Sequence, residues 1–152
     1  MSCFVIAEAG VNHNGSIDLA LRLVDIAAEC GADAVKFQTF SAERLVRPGA
    51  RTAQYQARAT GESDQFAMLK RLELSVEDHR RISERCKERG IEFMSTPFDE
   101  EAADLLLSLG MKRIKVPSGE ITNLPFLEVL ADADRPMIVS TGMSTIAEIE
   151  AA

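Results

Sequence analysis

The sequence has no tryptophan, a single tyrosine and only three cysteines among its 152 residues. Cys3, Cys30 and Cys86 are odd in number and far apart, and they form no Cys-x-x-Cys pair. Neither a disulfide framework nor a thiolate metal site is therefore indicated. We expect all three cysteines to be small buried hydrophobic residues in a reducing compartment.

Basic residues are also in the minority, because 17 lysines and arginines stand against 24 acidic residues, for a formal net charge of −7. Nucleic-acid-binding proteins usually show a basic surplus, so no nucleic-acid partner is expected. No apolar run approaches the roughly 18–20 residues that span a bilayer, and the N-terminus lacks the basic segment and cleavage site of a signal peptide. We therefore expect a cytoplasmic protein with no membrane partner.

The chain instead contains short apolar segments that alternate with longer amphipathic ones, which predicts five strands and five helices in alternation. The predicted strands are residues 4–7, 34–38, 91–95, 113–116 and 137–140. The predicted helices follow residues suited to helix N-termini, which are Ser16, Ser75, Asp99, Asn123 and Ser144. A polar loop is predicted over residues 40–65, with arginines at positions 44, 47, 51 and 58.

This alternation indicates an α/β fold in which helices cover a parallel sheet. Five units in 152 residues correspond to about 30 residues each. A (β/α)₈ TIM barrel needs roughly 250 residues at that rate. The chain is therefore either a five-stranded doubly wound domain or the first five β/α units of an incomplete TIM barrel.

Polar residues follow or interrupt every predicted strand near its carboxyl end, the edge where parallel α/β folds place their sites. They are Glu8, Lys36, Gln38, Thr39, Ser95, Thr96, Lys115, Ser118, Glu120, Ser140 and Thr141. Because an unpaired buried lysine is costly, we expect Lys36 and Lys115 to have anionic partners.

Two interpretations of the lysines are open. They could form structural ion pairs with Glu8 or Glu120, or they could bind a small substrate that bears phosphate and carboxylate groups. In the second case Glu8 and Glu120 are the acid–base candidates. The loop arginines form either a solvated face or a lid over an anionic ligand.

The two histidines do not indicate a metal site, because they are far apart in the sequence. His13 either lines the mouth of the site or stabilises a turn. His79 lies on the apolar stripe of its predicted helix, which favours a packed histidine.

Five segments together resemble the N-acetylneuraminate (sialic acid) synthase family, which includes the legionaminic and pseudaminic acid synthases. They follow the family's order and spacing over nearly the whole chain, at residues 6–15, 35–40, 95–98, 115–120 and 140–143. The resemblance implies an enzyme that condenses phosphoenolpyruvate with N-acetylmannosamine or a related acylamino sugar. It also implies a divalent metal, Mn²⁺ or Mg²⁺, that polarises the sugar aldehyde.

The resemblance also implies roles for individual residues. Those expected to hold phosphoenolpyruvate are Lys36, Thr96, Lys115, Ser118 and Ser140. Glu8 and Gln38 would contact the sugar, and Glu120 would be the proton-handling carboxylate.

Residues 1–152 would then form the N-terminal portion of the synthase barrel. The later strands with the two metal-binding histidines, and a small antifreeze-like domain that donates an arginine to a partner subunit, would be absent. We therefore expect this chain to hold mainly the phosphoenolpyruvate half-site, to be inactive alone, and to come from a protein that forms a homodimer.

Two other functions stay open. One is a different phosphoenolpyruvate–aldose synthase, or a Schiff-base aldolase that uses Lys36 or Lys115. The other is a non-catalytic five-stranded α/β binding domain.

Overall fold

The computed structural model describes residues 3–47 and 64–152. Strands and helices alternate through the described residues. The strands are β1 (Ile6–Gly10), β2 (Ala34–Thr39), β3 (Glu92–Pro97), β4 (Ile114–Val116) and β5 (Met137–Val139). The helices are α1 (Ile17–Glu29), α2 (Ala42–Leu45), α3 (Gln65–Leu72), α4 (Val76–Arg89), α5 (Glu100–Ser108), α6 (Leu124–Asp132) and α7 (Ile146–Ala151). A 3₁₀ helix at Ser118–Glu120 follows β4.

The strands follow one another around the sheet in chain order. β1, β2 and β3 form one parallel sheet with β2 in the middle, and β4 pairs with β5 in parallel. β4 also lies beside β3. A doubly wound sheet would reverse its strand order next to β1. The observed order is that of a barrel wall, so the doubly wound alternative is wrong.

Helix boundaries follow local capping chemistry. The Ser16 hydroxyl accepts a hydrogen bond from the Leu19 amide, and Asp99 accepts one from the Ala102 amide. Ser75 and Asp78 form a reciprocal capping box at the start of α4. These three predicted starts are confirmed, whereas α7 is capped by Thr145 and not by Ser144.

Two predicted segments need correction. The first strand lies at Ile6–Gly10 and not at residues 4–7, because Glu8 pairs with Lys36 and the strand continues beyond that pair. The predicted loop over residues 40–65 contains the short helix α2, whose Ala42 amide donates to the Glu73 carboxylate. Two of the loop arginines, at positions 51 and 58, lie outside the described residues.

The core lies between the strands and their covering helices. It is apolar and nearly inaccessible to water, with Val24, Val35, Phe37, Ile82, Leu106, Ile114 and Leu130 among its members. No helix in the described ranges is long and apolar enough to cross a membrane.

The predicted burial of the cysteines is confirmed for Cys86 alone. Burial raises the pKa of its thiol to about 12. The same prediction is wrong for Cys3 and Cys30, which are exposed free thiols. Cys30 is exposed because it forms the C-cap of α1, beyond the face of the helix that packs on the sheet.

Candidate active site

The first half of the site is built around Lys36, which is buried in the middle strand of the sheet. Its Nζ lies 2.8 Å and 3.0 Å from the two carboxylate oxygens of Glu8, the residue opposite it on β1. Nζ also donates to the Thr96 hydroxyl at 3.1 Å. The predicted anionic partner is therefore confirmed for Lys36, whose charge Glu8 largely offsets.

The second half is built around Lys115, which is half-buried on β4. Its Nζ donates to the Ser140 hydroxyl and to the Val116 carbonyl. No carboxylate pairs with it among the described residues, so the expected anionic partner is wrong for Lys115. Burial lowers the pKa of the Lys115 ammonium group, and the charge of Lys36 lowers it further, while Glu8 acts in the opposite direction. The two lysines therefore share one electrostatic environment.

The two halves have the same construction. Lys36 lies opposite Met94 on β3, and Lys115 lies opposite Ile138 on β5. In each case the hydroxyl belongs to the residue two positions after that opposite residue. Lys36 reaches Thr96 by this geometry, and Lys115 reaches Ser140. Alternate residues of a strand point to the same face, so each ammonium group and its hydroxyl face the same side of the sheet. The result is two ammonium–hydroxyl pairs at the carboxyl edge.

Gly10 sets the spacing between Glu8 and Gln38. Its φ is +53°, and the pairing with β2 is irregular between Glu8 and Gly10. A Cβ at this position would lie 3.1 Å from Glu8 Oε1 and 3.8 Å from Gln38 Nε2. This role of Gly10 was not predicted, although a glycine two residues after a strand-end glutamate could have indicated it.

The loop after β4 positions Ser118 and Glu120. The backbone of Gly142 comes so close to Ser118 that a Cβ there would lie 3.6 Å from the serine hydroxyl, so this loop meets the loop after β5. The Glu120 carboxylate accepts a hydrogen bond from Asn123 Nδ2 at 2.8 Å. Within the described ranges it forms no ion pair, so the structure does not join it to either lysine.

His13 stabilises the turn after β1. It is fully buried, and its Nδ1 accepts the Gly15 amide at 3.0 Å. Burial lowers the pKa of its imidazole. The turn-stabilising interpretation is therefore confirmed over the one that placed His13 at the mouth of the site.

His79 connects α4 to the ends of β2 and β3. Its Nδ1 lies 2.8 Å from the Ser75 carbonyl, which can only accept, so Nδ1 carries the hydrogen. Its Nε2 then accepts from the Thr39 hydroxyl at 2.8 Å, and Thr39 accepts from Ser95 at 2.7 Å. His79 is buried, which confirms the predicted packed histidine, and burial lowers the pKa of its imidazole.

The described loop arginines do not cover the lysines. Arg44 pairs with Asp99 and Glu101, each at 2.9 Å, on an exposed face. Arg47 is exposed. The interpretation of a solvated face is confirmed for Arg44.

Several known proteins with similar sequences are legionaminic, pseudaminic or N-acetylneuraminate-9-phosphate synthases. The chain is 56% identical, over its whole length, to N,N'-diacetyllegionaminic acid synthase of Legionella pneumophila and spans 43% of that protein. Over 95% of its length it is 36% identical to human N-acetylneuraminate-9-phosphate synthase and spans 40% of it. The chain thus spans less than half the length of these curated relatives.

Solved structures agree on the fold. The N-acetylneuraminic acid synthetase of Leptospira borgpetersenii superposes with a TM-score of 0.85 at 32% identity, over 99% of this chain and 48% of that one. A truncated 3-deoxy-D-arabino-heptulosonate 7-phosphate synthase of Thermotoga maritima superposes at 0.64 and 12% identity, over 95% and 43%, which supports the fold alone. The chain has the fold of the first five β/α units of a TIM barrel.

The model of the NeuB family matches residues 23–152, which is most of the chain. That range includes both ammonium–hydroxyl pairs and the loops after β4 and β5. The chain therefore belongs to the NeuB family.

Proposed function

We propose that this chain is the N-terminal barrel portion of a nonulosonic acid synthase, and that it holds the phosphoenolpyruvate half-site. The observation that supports this most strongly is the double ammonium–hydroxyl arrangement at one sheet edge. Phosphoenolpyruvate has two anionic groups, a phosphate and a carboxylate. Charge-assisted hydrogen bonds from an ammonium group and a hydroxyl suit either group.

The two lysines would contribute unequally. Lys115 has no carboxylate partner among the described residues, so its charge is available to an incoming anion, with Ser140 and Ser118 as hydroxyl donors. Lys36 is already paired with Glu8 and contacts Thr96. We assign Lys36, Thr96, Lys115, Ser118 and Ser140 to phosphoenolpyruvate as a set.

Glu8 and Gln38 would contact the acceptor sugar. The Glu8 side chain is 56% exposed although it pairs with Lys36, so its carboxylate is accessible to sugar hydroxyls. Gln38 is half-buried beside it, across the backbone of Gly10. The Legionella relative is named for a product with two N-acetyl groups. Because phosphoenolpyruvate brings no nitrogen, we propose an acceptor with two acetamido groups.

The proposed reaction balances without an external oxidant or reductant. The methylene carbon of phosphoenolpyruvate bonds to the aldehyde carbon of the open-chain sugar, and water adds to the enol carbon. The C–O bond to phosphate then breaks, which releases inorganic phosphate. Glu120 would exchange a proton with the attacking water or its adduct.

We further propose that the whole protein uses Mn²⁺ or Mg²⁺, is a homodimer and works in the cytoplasm. No three His, Cys, Asp or Glu residues in the described ranges lie close enough together to hold a metal ion. The residues described here therefore do not fit a metal site, and we derive no step through one.

The test uses the product of the full gene that encodes this chain, purified with Mn²⁺. It is incubated with phosphoenolpyruvate and either N-acetylmannosamine or a diacetamido sugar, and phosphate and product mass are measured. An isotope label in the bridging oxygen of phosphoenolpyruvate should appear in the phosphate. Absence of phosphate release with every acylamino sugar would contradict the proposal.

The lowered pKa of Lys115 is the one observation that favours a Schiff-base aldolase. Borohydride reduction in the presence of pyruvate would trap such an adduct on Lys115. We expect no trapped adduct, because Lys115 is held by two hydrogen bonds and is suited to bind an anion.

A further inference from the structure

We propose that Asn123 is a positioning residue that holds the Glu120 carboxylate in place at the edge of the site. This inference rests on the proposed role of Glu120 as the proton-handling group. It adds a residue that acts through Glu120 and does not itself contact the substrate.

Two hydrogen bonds join Asn123 to Glu120. The side-chain amide Nδ2 of Asn123 donates to Glu120 Oε2 at 2.8 Å, and the Asn123 backbone amide donates to the Glu120 carbonyl at 2.9 Å. The backbone bond closes a turn directly after the 3₁₀ helix. The side-chain bond then fixes the direction of the carboxylate relative to that turn.

The Asn123 side chain bonds to Glu120 and does not make the helix-capping hydrogen bond that its position favours. It is the N-cap residue of α6, where asparagine is among the strongest capping residues, yet its side chain makes no capping bond. Five other described helices are capped by a side-chain oxygen, from Ser16, Asp64, Ser75, Asp99 and Thr145. Pro125 removes one of the amide groups that a cap would satisfy, which makes the cap less valuable here.

The amide is suited to this task because it is neutral. Glu120 has no cationic partner among the described residues, and an amide N–H orients a carboxylate without cancelling its charge. A neutral donor therefore leaves the charge of Glu120 available for the reaction.

The test compares N123D and N123S with E120Q in the full gene product. Aspartate and serine both cap helices well, so neither change should lower the thermal midpoint. Both should lower kcat, N123D by about tenfold or more because a hydrogen bond to a charged group is lost. The KM for phosphoenolpyruvate should stay within about twofold, because Lys36 and Lys115 are unchanged.

The pH profile of kcat gives a second readout. The limb of the kcat–pH profile that disappears in E120Q is the one that depends on the protonation of Glu120. N123D should move that limb to higher pH, because a negative charge beside Oε2 disfavours the ionised carboxylate. A merely structural role would not move it.

The outcomes separate the two proposals. If E120Q abolishes turnover but N123D and N123S keep the wild-type kcat and pH limb, Asn123 is only a turn residue and this inference is wrong. If E120Q keeps full activity, the role proposed for Glu120 fails, and the positioning role fails with it.

Discussion

The lysine without a carboxylate partner and the lysine with one should respond to the same substitution by different amounts, in ligand binding and in stability. Lys115→Met and Lys36→Met each replace an ammonium group by an apolar side chain of similar length. Lys115 contacts the Ser140 hydroxyl and a carbonyl, whereas Lys36 contacts Glu8 and the buried Thr96 hydroxyl. The two variants are therefore matched controls for each other.

The effect on ligand binding follows from charge. Lys115→Met removes a cation that forms no ion pair with a described carboxylate, and a hydrogen bond to a charged group contributes about 1.5–3 kcal/mol. Phosphoenolpyruvate should then bind about 10- to 150-fold more weakly to this variant. Lys36→Met should also weaken binding, but less, because Glu8 already offsets the charge that is removed.

The effect on stability has the opposite order. The pKa of Lys115 is lowered by burial and by Lys36, so the folded state disfavours its charge. Its removal should leave the free energy of unfolding unchanged or raise it. Lys36→Met removes the only side-chain partner that the Thr96 hydroxyl, which is buried, has among the described residues, and this costs about 1–3 kcal/mol.

The assays are calorimetric titration with phosphoenolpyruvate and urea unfolding of the full gene product. Far-UV circular dichroism is the suitable probe, because it follows the loss of helices and strands. Wild-type affinity in Lys115→Met would refute the charge argument. A Lys115→Met variant less stable than Lys36→Met would refute the stability argument.

Three further predictions concern the end of β1, the turn after it and the buried histidines. Gly10→Ala should raise the KM for the sugar several-fold in steady-state kinetics, because its Cβ would crowd Glu8 at 3.1 Å. Gly15→Ala should lower the unfolding midpoint strongly, since its Cβ would lie 2.2 Å from a backbone oxygen of α3. His13 and His79 have pKa values lowered by burial, so their contribution to stability is complete above pH 6.5 and declines as pH falls below it. Urea unfolding at about pH 7.5 and about pH 5.5 checks this, and equal midpoints would contradict it.

Most of the elements were predictable because local chemistry decides them. The capping box at Ser75 and the cap at Asp99 act within one helical turn, so they can be read from the sequence. The boundaries of β1 could not be predicted in this way, because they depend on its pairing with β2. The paired residues Glu8 and Lys36 are 28 positions apart in the sequence. The choice between a barrel and a doubly wound sheet likewise depends on strand order, which the sequence pattern does not contain.

The sequence predicted which residues lie at the site better than it predicted which of them contact one another. The positions of Lys36 and Lys115 near strand ends followed from the sequence, and so did the ion pair of Lys36. Glu120 is different, because its direction is decided by a 3₁₀ helix and by Asn123. A side chain on an irregular loop has no strand periodicity to fix where it points, so its partner could not be derived.

The geometry of the two ammonium–hydroxyl pairs is the same, and their difference lies in charge. Glu8 forms an ion pair with Lys36, and no described carboxylate forms one with Lys115. With both lysines unpaired, their mutual repulsion would disfavour the folded protein before any anion bound. With both paired, neither would attract a phosphate or a carboxylate. One paired and one unpaired lysine therefore let the folded protein keep two cations at one sheet edge while a net attraction for an anion remains, even in a chain whose formal charge is −7.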